Sequence, residues 1–405
     1  MKNRKRIKAF RFIQASDAHL GYMQYNLTER RDDFLKAFEE FTTKAKELSP
    51  DLLVFAGDLF NSPHPSNPVL AEAIELIDSL KVPFLVVPGS HDKAYSTLVG
   101  TVLEPLHRGG HIHYLPTKPY EKGDVYVYGM TNFRRRTDFT TEAREFFEKY
   151  PPKPRGKYNI FVLHQGVDFP SLNLHPSQVE MRPEELPKGF QYYASGHLHN
   201  PTILRFDDSI FAYSGSLETF EYTEYEYEKS FYLVEMGRDG EAEVKTIPLS
   251  KQRPFQVLRQ DCTGLKPAEI EEKTREMISK SDRSGAILVL VLEGTLLQGL
   301  TRADVNYEAV RKEATKALYV HFVNNLRTAE EEALPIAMTS AESLYSRASA
   351  RLNEHYGDLF KEKAPQYAGL TIDLVNIFSS KELKRIERQR MAEKKIDAFY
   401  GEISQ

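Results

Sequence analysis

The first 250 residues alternate short apolar runs with amphipathic stretches. The apolar runs are typical of strands buried on both faces, and they lie at Phe10–Gln14, Asp51–Ala56 and Val82–Val87. Between them, apolar residues recur at the three- and four-residue spacing of a helix over Arg31–Leu48 and Pro68–Leu80. This order of strand and helix predicts parallel strands covered by helices.

Further strands are predicted along the same region, at Val125–Tyr128, Asn159–Leu163, Tyr192–Ser195, Ser209–Ser214 and Phe231–Glu235. Together with the first elements they predict an α/β fold over residues 1–250, in which two sheets form a sandwich and helices lie outside it.

The pattern changes near residues 248–254. Strands and helices then alternate over a shorter stretch, at Phe255–Gln260, Pro267–Ser279, Ala286–Glu293, Val305–Ala317 and Tyr319–Asn324. This order predicts a small α+β domain over residues 251–327.

Residues 328–405 are charged and predicted to be helical. The last predicted helix, Lys381–Tyr400, carries an apolar stripe on a charged body, formed by Leu383, Ile386, Met391, Ile396 and Phe399. One such stripe usually packs on its own protein. Here it lies beyond a complete domain and follows a second apolar set at Leu344, Leu352, Leu359 and Phe360, so a partner-binding pair of helices is the alternative.

Composition limits the function classes. The chain has 405 residues and a net charge of −4, which argues against a small, globally basic nucleic-acid binder but allows a local basic surface. The single cysteine, Cys262, excludes an intrachain disulfide and a thiolate metal cluster. The apolar run at Phe10–Ala15 is too short for a signal peptide, and no run approaches the roughly 20 residues of a membrane span. We therefore expect a cytoplasmic protein.

Five polar blocks follow predicted strands, where ligands bind in α/β sheets. They are Asp17-Ala18-His19, Gly57-Asp58, Gly89-Ser90-His91-Asp92, His164-Gln165 and Gly196-His197-Leu198-His199. Taken alone, each block is more often a turn or a structural histidine than a ligand. Their conjunction, with no cysteine competing, predicts a metal site.

This order of blocks resembles the calcineurin-like metallophosphoesterases. The resemblance implies two divalent ions, the first held by Asp17, His19, Asp58 and His199 and the second by Asp58, Ser90, His164 and His197. His91 would stabilise the charge on phosphorus or protonate the leaving oxygen, and Asp92 would orient His91 or form a structural turn. Histidine and carboxylate ligands suit Mn²⁺, Fe²⁺ or Zn²⁺, and the family's nuclease branch favours Mn²⁺.

Longer motifs narrow the resemblance to one branch. D-A-H-L-G-Y-x-Q-Y-N, L-H-Q-G and Y-Y-A-S-G-H-L-H, which begin at Asp17, Leu163 and Tyr192, are similar to the archaeal Mre-type, SbcD-like nuclease of double-strand-break repair. The resemblance implies Mn²⁺-dependent 3′-to-5′ exonuclease and endonuclease activity on DNA ends. It also implies a DNA-capping role for the small domain, an SMC-like ABC-type ATPase bound by the C-terminal helices, a homodimer and a nucleoid-associated location.

Two positions depart from the family pattern. Ser90 stands where the family has an asparagine ligand, and its hydroxyl binds a divalent ion less readily than an amide oxygen. Asn61 stands where some relatives carry a histidine, and an amide cannot shuttle a proton near neutrality. We therefore expect a high Mn²⁺ requirement and an exonuclease step that depends on His91 alone.

Aromatic, amide and basic residues follow the first metal block, and they could contact a DNA backbone. They are Tyr22, Gln24, Tyr25, Asn26, Arg30 and Arg31. The alternative is a mixed loop and helix cap. Arg134–Arg136 is a second candidate, though a solvated charge run is as good an interpretation, and His107, His111 and His113 are expected to be structural.

Two other functions stay open. One is a phosphodiesterase acting on other phosphoesters, although Gly57–Pro63 lacks the arginine with which protein phosphatases of this family bind a phosphomonoester. The other is a DNA-end-binding scaffold whose second metal site is weakened by Ser90.

Overall fold

The computed structural model describes residues 10–93, 100–133, 136–154, 157–237, 240–329, 363–379 and 385–403. Arg134, Arg135, Leu344, Leu352, Leu359, Phe360 and Leu383 lie outside these ranges. The chain divides into two compact units. The first comprises Met1–Asp261, Pro267–Glu293 and Val305–Asn325, and the second comprises Cys262–Lys266, Gly294–Asp304 and Leu326–Gln405. The domain boundaries expected at residues 250 and 327 stay a prediction.

The strands of the described residues, in chain order, are β1 (Phe10–Ala15), β2 (Leu52–Phe55), β3 (Phe84–Val86), β4 (His113–Tyr114), β5 (Tyr120–Lys122), β6 (Val125–Gly129), β7 (Tyr158–His164), β8 (Tyr192–Gly196), β9 (Thr202–Phe206), β10 (Ser209–Tyr213), β11 (Ser230–Met236), β12 (Ala242–Pro248), β13 (Phe255–Asp261), β14 (Ile287–Thr295) and β15 (Tyr319–Arg327). The helices are α1 (Thr28–Leu48), α2 (Asn67–Ser79), α3 (Leu103–Arg108), α4 (Arg136–Lys149), α5 (Pro267–Ser281), α6 (Tyr307–Arg311), α7 (Ala364–Ser379) and α8 (Arg385–Ile403).

Two six-stranded sheets form the frame of the first unit. One has the order β12-β11-β1-β2-β3-β4, and the other has the order β5-β6-β7-β8-β10-β9. Neighbouring strands are parallel from β1 to β4 and from β6 through β7 and β8 to β10, while the outer pairings are antiparallel. The predicted α/β sandwich of two sheets is confirmed.

The core lies in three layers because both faces of each sheet are covered. Alternate side chains of the two sheets meet between them, as Val54 and Val162 do. The other face of the first sheet packs on α1, α2 and α3, and the other face of the second sheet packs on α4 and on loops. This double burial explains the near-continuous apolar runs that predict these strands.

The strands that the sequence pattern missed are β4, β5, β9 and β12, which lie at the edges of the two sheets. None of these four contains a fully buried residue. An edge strand is solvated along one side, so its sequence need not be apolar throughout, and an apolar run does not mark it.

A third sheet, with the order β13-β14-β15, packs α5 and α6 on one face. The helix predicted at Val305–Ala317 was too long, since α6 spans only Tyr307–Arg311. The Asp282 carboxylate accepts the backbone N–H groups of Thr315, Lys316 and Ala317 at 2.8–3.1 Å, and it thereby holds this segment outside a helix.

Helices α7 and α8 pack on each other in the second unit. Phe399 is 9% exposed, and its ring lies 5.0 Å from the ring of Tyr367 on α7. Part of the predicted stripe therefore packs within the chain, with Ile396 half-buried, whereas Met391 is 47% exposed. Ile386 lies in α8, but its side chain is not among those that the structure describes. Within the described residues, no helix has the length and hydropathy of a membrane span.

Candidate metal centre

The predicted ligands converge where strands of both sheets end. The pairing of β1 with β2 continues past the strands, since the N–H groups of Asp17 and His19 donate to the carbonyls of Gly57 and Asp58 at 3.0 Å. In the second sheet, β7 ends at His164, which pairs with Gly196 of β8. Parallel strands thus bring distant polar blocks to one edge of the sandwich.

The backbone leaves these strands in an unusual conformation. Asp17, His19, Asp58 and His197 have φ values of 54°, 45°, 52° and 87°, in the left-handed region that side chains disfavour. Each such residue costs on the order of 1–3 kcal/mol, and such strain tends to concentrate at functional sites. The turn after each strand is what points these side chains toward one another.

Close approach explains two glycines of the motifs. A Cβ atom on Gly57 would lie 2.4 Å from Nδ1 of His164, and one on Gly89 would lie 2.1 Å from Oδ1 of Asp58. Real Cβ contacts are never this short, so the loops can close around the Asp58 carboxylate only with glycine at these two positions.

Side-chain donors form three overlapping groups, in each of which the ligand atoms lie within 4.8 Å of one another. The groups are Asp17, His19 and His199; His19, Asp58 and His91; and Asp17, Asp58 and His164. Asp17, His19 and Asp58 each belong to two of these groups, so the three groups form one continuous cluster of oxygen and nitrogen ligand atoms.

Two of the imidazoles are oriented by hydrogen bonds on Nδ1. His164 Nδ1 lies 2.8 Å from the carbonyl of Ala56, and His199 Nδ1 lies 2.7 Å from a carboxylate oxygen of Glu224. Lys229 donates to the other oxygen of Glu224 at 2.6 Å. When Nδ1 carries the proton, Nε2 is left as the metal-binding atom, which is how outer partners orient metal-bound histidines.

Burial and charge shift the titration of these groups strongly. Burial raises the pKa of Asp17 and lowers the pKa of His19. Burial alone would lower the pKa of His164, but the neighbouring Asp58 carboxylate raises it to about 10, and the pKa of Asp58 falls in turn. Burial and the nearby His164 lower the pKa of His197 to about 3. Buried acids and imidazoles so close together are typical of a metal or catalytic site.

The chemistry of the clustered side chains suits divalent metal ions. Nε2 of His19 lies 3.3 Å from Nε2 of His199, and the buried Nε2 of His164 lies 3.2 Å from Oδ2 of Asp58. A cation bound among these nitrogen and oxygen atoms would satisfy them together, which offsets the cost of burying them. Two carboxylates and several imidazoles supply the oxygen and nitrogen donors that Mn²⁺, Fe²⁺ and Zn²⁺ accept.

Known proteins match this chain over most of its length. Residues 10–201 match the calcineurin-like phosphoesterase family. The DNA double-strand break repair protein Mre11 of Archaeoglobus fulgidus is 30% identical over 344 residues, which cover 75% of this chain and 75% of that protein. The Mre11 of Saccharolobus solfataricus is 30% identical, and the match covers 76% of this chain and 80% of that protein. The Mre11 of Methanopyrus kandleri is 26% identical, and the match covers 76% of this chain and 69% of that protein.

The chain belongs to the Mre11 family. The resemblance inferred from the motifs is confirmed, and so is a metal-dependent phosphodiesterase of the nuclease type. The requirement for divalent metal ions follows from the family and from the grouped ligands, without identifying the metal.

Two predicted ligands of the Mre11-family site lie less centrally than the others. The Ser90 hydroxyl lies 3.4 Å from Oδ2 of Asp58, beside the carboxylate expected to bridge the ions. The ring of His197 lies 5.4 Å from that of His164, and its backbone N–H donates to Asp17 at 3.2 Å. Within the described residues, His197 does not join any of the three tight groups.

Of the two roles expected for Asp92, the structural turn fits the structure and orientation of the His91 ring does not. Its buried carboxylate accepts the backbone N–H groups of Leu59, Phe60 and Gly89 at 2.7–3.1 Å, so it ties together the two loops that surround Asp58. Burial and the nearby Asp58 raise the pKa of Asp92 to about 7.

His91 is held by its neighbours in the adjacent loop. The backbone N–H of His91 donates to Oδ1 of Asp58 at 2.7 Å, and the ring nitrogen Nδ1 lies 3.4 Å from the backbone carbonyl of Asn61. Oδ1 of the Asn61 side chain is buried and has no hydrogen-bond partner within the described residues. Asn61 therefore orients His91 through its backbone.

The residues proposed to contact DNA separate into two sets. Gln24 and Arg30 are 3% and 0% exposed, and Arg30 donates to Gln24, Asp33, Glu218 and the carbonyl of Thr219. A guanidinium with all these partners inside the protein cannot reach a phosphate, so the expectation was wrong for Gln24 and Arg30.

The other candidates stay closer to solvent. Asn26 is exposed and Tyr22 is half-buried, while the Arg31 side chain is 39% exposed and pairs with Asp32 at 2.8 Å. Tyr25 is half-buried against Tyr319 and His321 of β15, with ring centroids 5.1 and 4.5 Å apart.

The sequence pattern missed three residues that shape the site. Glu224 orients His199, Glu180 brings a carboxylate oxygen 3.8 Å from Nε2 of His197, and Phe220 packs its ring against His19. Glu224 and Phe220 lie in a run of alternating acidic and aromatic residues after the last metal block. Nothing in that run distinguishes a buried acid from its solvated neighbours.

Proposed function

We propose that this chain is a Mn²⁺-dependent DNA nuclease that processes double-strand-break ends by 3′-to-5′ exonuclease and endonuclease cleavage. One observation carries the proposal. Two buried carboxylates and four imidazoles converge, and the outer partners of His164 and His199 leave Nε2 of each facing the other ligand atoms. Membership of the Mre11 family supports DNA as the substrate.

Two sets of ligands would hold the ions. The first is Asp17, His19, Asp58 and His199, and the second is Asp58, Ser90, His164 and His197. Bound there, two divalent cations neutralise a phosphodiester and lower the pKa of a water molecule that can attack it. The arrangement needs no protein nucleophile.

His91 is the proposed general acid. Its ring lies against that of His19 with centroids 4.9 Å apart, and its Nδ1 faces the carbonyl of Asn61. Nε2 is thus the nitrogen available to hold a proton for the leaving oxygen or to stabilise charge on the phosphate. Since Asn61 cannot transfer a proton, His91 carries this role alone.

DNA would reach the site along Tyr22, Asn26 and Arg31, the accessible candidates near the first metal block. An open cavity of about 470 Å³ beside His197, His199 and Phe220 offers room for part of a nucleotide. We further propose that the C-terminal helices bind an SMC-like ABC-type ATPase through exposed positions such as Met391, and that the chain forms a homodimer.

The test is cleavage of end-labelled duplex and hairpin DNA by the full chain across a Mn²⁺ titration. We expect cleavage that rises with Mn²⁺ into the millimolar range and is lost in His91→Ala. The exposed His175 provides a matched control, since His175→Ala should cleave normally. Absence of cleavage at millimolar Mn²⁺ would contradict the nuclease.

A DNA-end-binding scaffold is the second candidate. It is favoured by the Ser90 hydroxyl, which lies 3.4 Å from Asp58 and is a poorer ligand than an amide oxygen. In the same assay, a scaffold would bind DNA without cutting it. Cleavage of a small phosphodiester without DNA binding would instead indicate a phosphodiesterase with another substrate.

A further inference from the structure

His19 differs from the other central imidazoles in how it is held. His164 and His199 are each oriented through Nδ1 by an acceptor. Nδ1 of His19 is buried and has no hydrogen-bond partner in the described part of the chain, and its backbone has a φ of 45°. Metal-bound histidines need a fixed ring orientation, so another contact must restrain this ring.

An aromatic ring provides the contact that restrains His19. The ring of Phe220 lies against His19 with centroids 4.2 Å apart and planes inclined by 35°. Its opposite side stacks on Tyr22 at 4.5 Å and 25°. Phe220 is therefore sandwiched between Tyr22 and His19, and its edge also meets the rings of His91 and His199 at 5.7 and 5.2 Å.

The Phe220 backbone is anchored at both of its polar groups. Its N–H donates to the Glu224 carboxylate at 3.1 Å, and its carbonyl accepts from Gln24 at 2.7 Å. The buried Arg30 donates to Gln24 at 2.9 Å and to the carbonyl of Thr219 at 2.7 Å. The two residues that do not reach DNA thus fix the segment that carries the ring.

We propose that Phe220 is the positioning residue of His19 and sets the affinity of the first metal site. The inference rests on the metal centre of the proposed function. The packing of the Phe220 ring takes the place of the hydrogen bond that orients His164 and His199. Gln24 and Arg30 hold the backbone segment that carries this ring.

A purely structural role would place the ring in the apolar core. Phe220 is instead half-buried, lines the open cavity beside His199, and contacts three histidines of the site. Its removal should therefore affect metal binding more than folding.

The experiment is a calorimetric titration of the metal-free full chain with Mn²⁺ alone, without DNA, combined with electron paramagnetic resonance of the bound ions. Phe220→Ala should weaken one Mn²⁺ site by about tenfold or more, the usual effect of losing an outer partner of a ligand. The other site should keep its affinity. Phe220→Tyr, which keeps the ring, should restore binding, and Tyr225→Ala should bind like wild type because Tyr225 is 40% exposed in the same loop.

Equal Mn²⁺ affinities in wild type and Phe220→Ala would overturn the inference, and so would equal weakening of both sites. If Phe220→Ala does not fold, Phe220→Leu takes its place, because it fills the volume without a flat ring and is expected to weaken the same site. Wild-type chain that binds two Mn²⁺ ions but does not cut DNA would contradict the proposed nuclease and leave this inference standing. Failure of wild type to bind Mn²⁺ would overturn both.

Discussion

Arg30 offers a decisive test because the sequence and the structure assign it different roles. Its side chain is 0% exposed, and it forms ion pairs with Asp33 at 2.8 Å and with Glu218 at 3.2 Å. The substitution Arg30→Met keeps much of the side-chain volume and removes the charge. It leaves the fully buried Glu218 without this ion pair, while Asp33 keeps its bond to Arg253.

Removing one partner of a buried ion pair costs about 3–5 kcal/mol. Because Asp33 retains a cationic partner, we expect the lower part of this range. A loss of that size corresponds to a fall in melting temperature of roughly 6–12 °C for a large domain. The hydrogen bonds to Gln24 and Thr219 are lost as well, so the decrease should not be smaller.

The assay compares Arg30→Met with Arg31→Met in the full chain. Thermal unfolding followed by circular dichroism measures stability, and fluorescence anisotropy of a labelled duplex in the absence of metal measures DNA affinity. Arg31 is the matched control because its side chain is 39% exposed, and its replacement should change stability by less than about 0.5 kcal/mol.

We expect Arg30→Met to melt earlier yet bind DNA normally at a temperature where it is folded, and Arg31→Met to melt normally and bind DNA more weakly. The reasoning would be refuted by an Arg30→Met protein of normal stability that has lost DNA affinity. Such a result would mean that the guanidinium leaves its buried partners to meet phosphate.

Three further outcomes are expected. Ser90→Asn should tighten the weaker Mn²⁺ site and lower the Mn²⁺ concentration needed for half-maximal cleavage, and an unchanged requirement would show that Ser90 does not limit metal binding. Glu224→Gln should weaken Mn²⁺ binding by about tenfold in calorimetry, since the charge that orients His199 is lost; unchanged affinity would contradict this. Burial alone would raise the pKa of Glu40, but Lys44 and Ser250 lower it. The ionised form therefore stabilises the fold above the unfolded-state pKa of about 4.3, and this contribution is lost as pH falls through the lowered pKa. Denaturant unfolding should show Glu40→Gln less stable than wild type at pH 7 and nearly equal at acidic pH, and a difference that persists in acid would contradict the assignment.

Much of the fold could be read from local pattern. Strands such as β2 and β7 are buried on both faces, so their apolar runs are visible without tertiary information. The edge strand β12 has no such run, because each of its residues is at least partly exposed. The length of α6 depended on Asp282, which accepts the backbone N–H of Lys316 across 34 positions and so fixes the segment that follows the helix.

By itself, the sequence determined the sandwich, the family and the predicted ligand blocks, because each block lies within a few residues of a strand end and is a local signal. Only the tertiary structure decided the roles of Arg30, Asp92, Phe220 and Glu224. Arg30 meets Glu218 across 188 positions, and the Asp92 carboxylate meets the N–H of Leu59 across 33. Whether a charged or aromatic side chain faces solvent, a metal or a buried partner depends on which distant segments pack around it, and that is a property of the folded chain rather than of its local sequence.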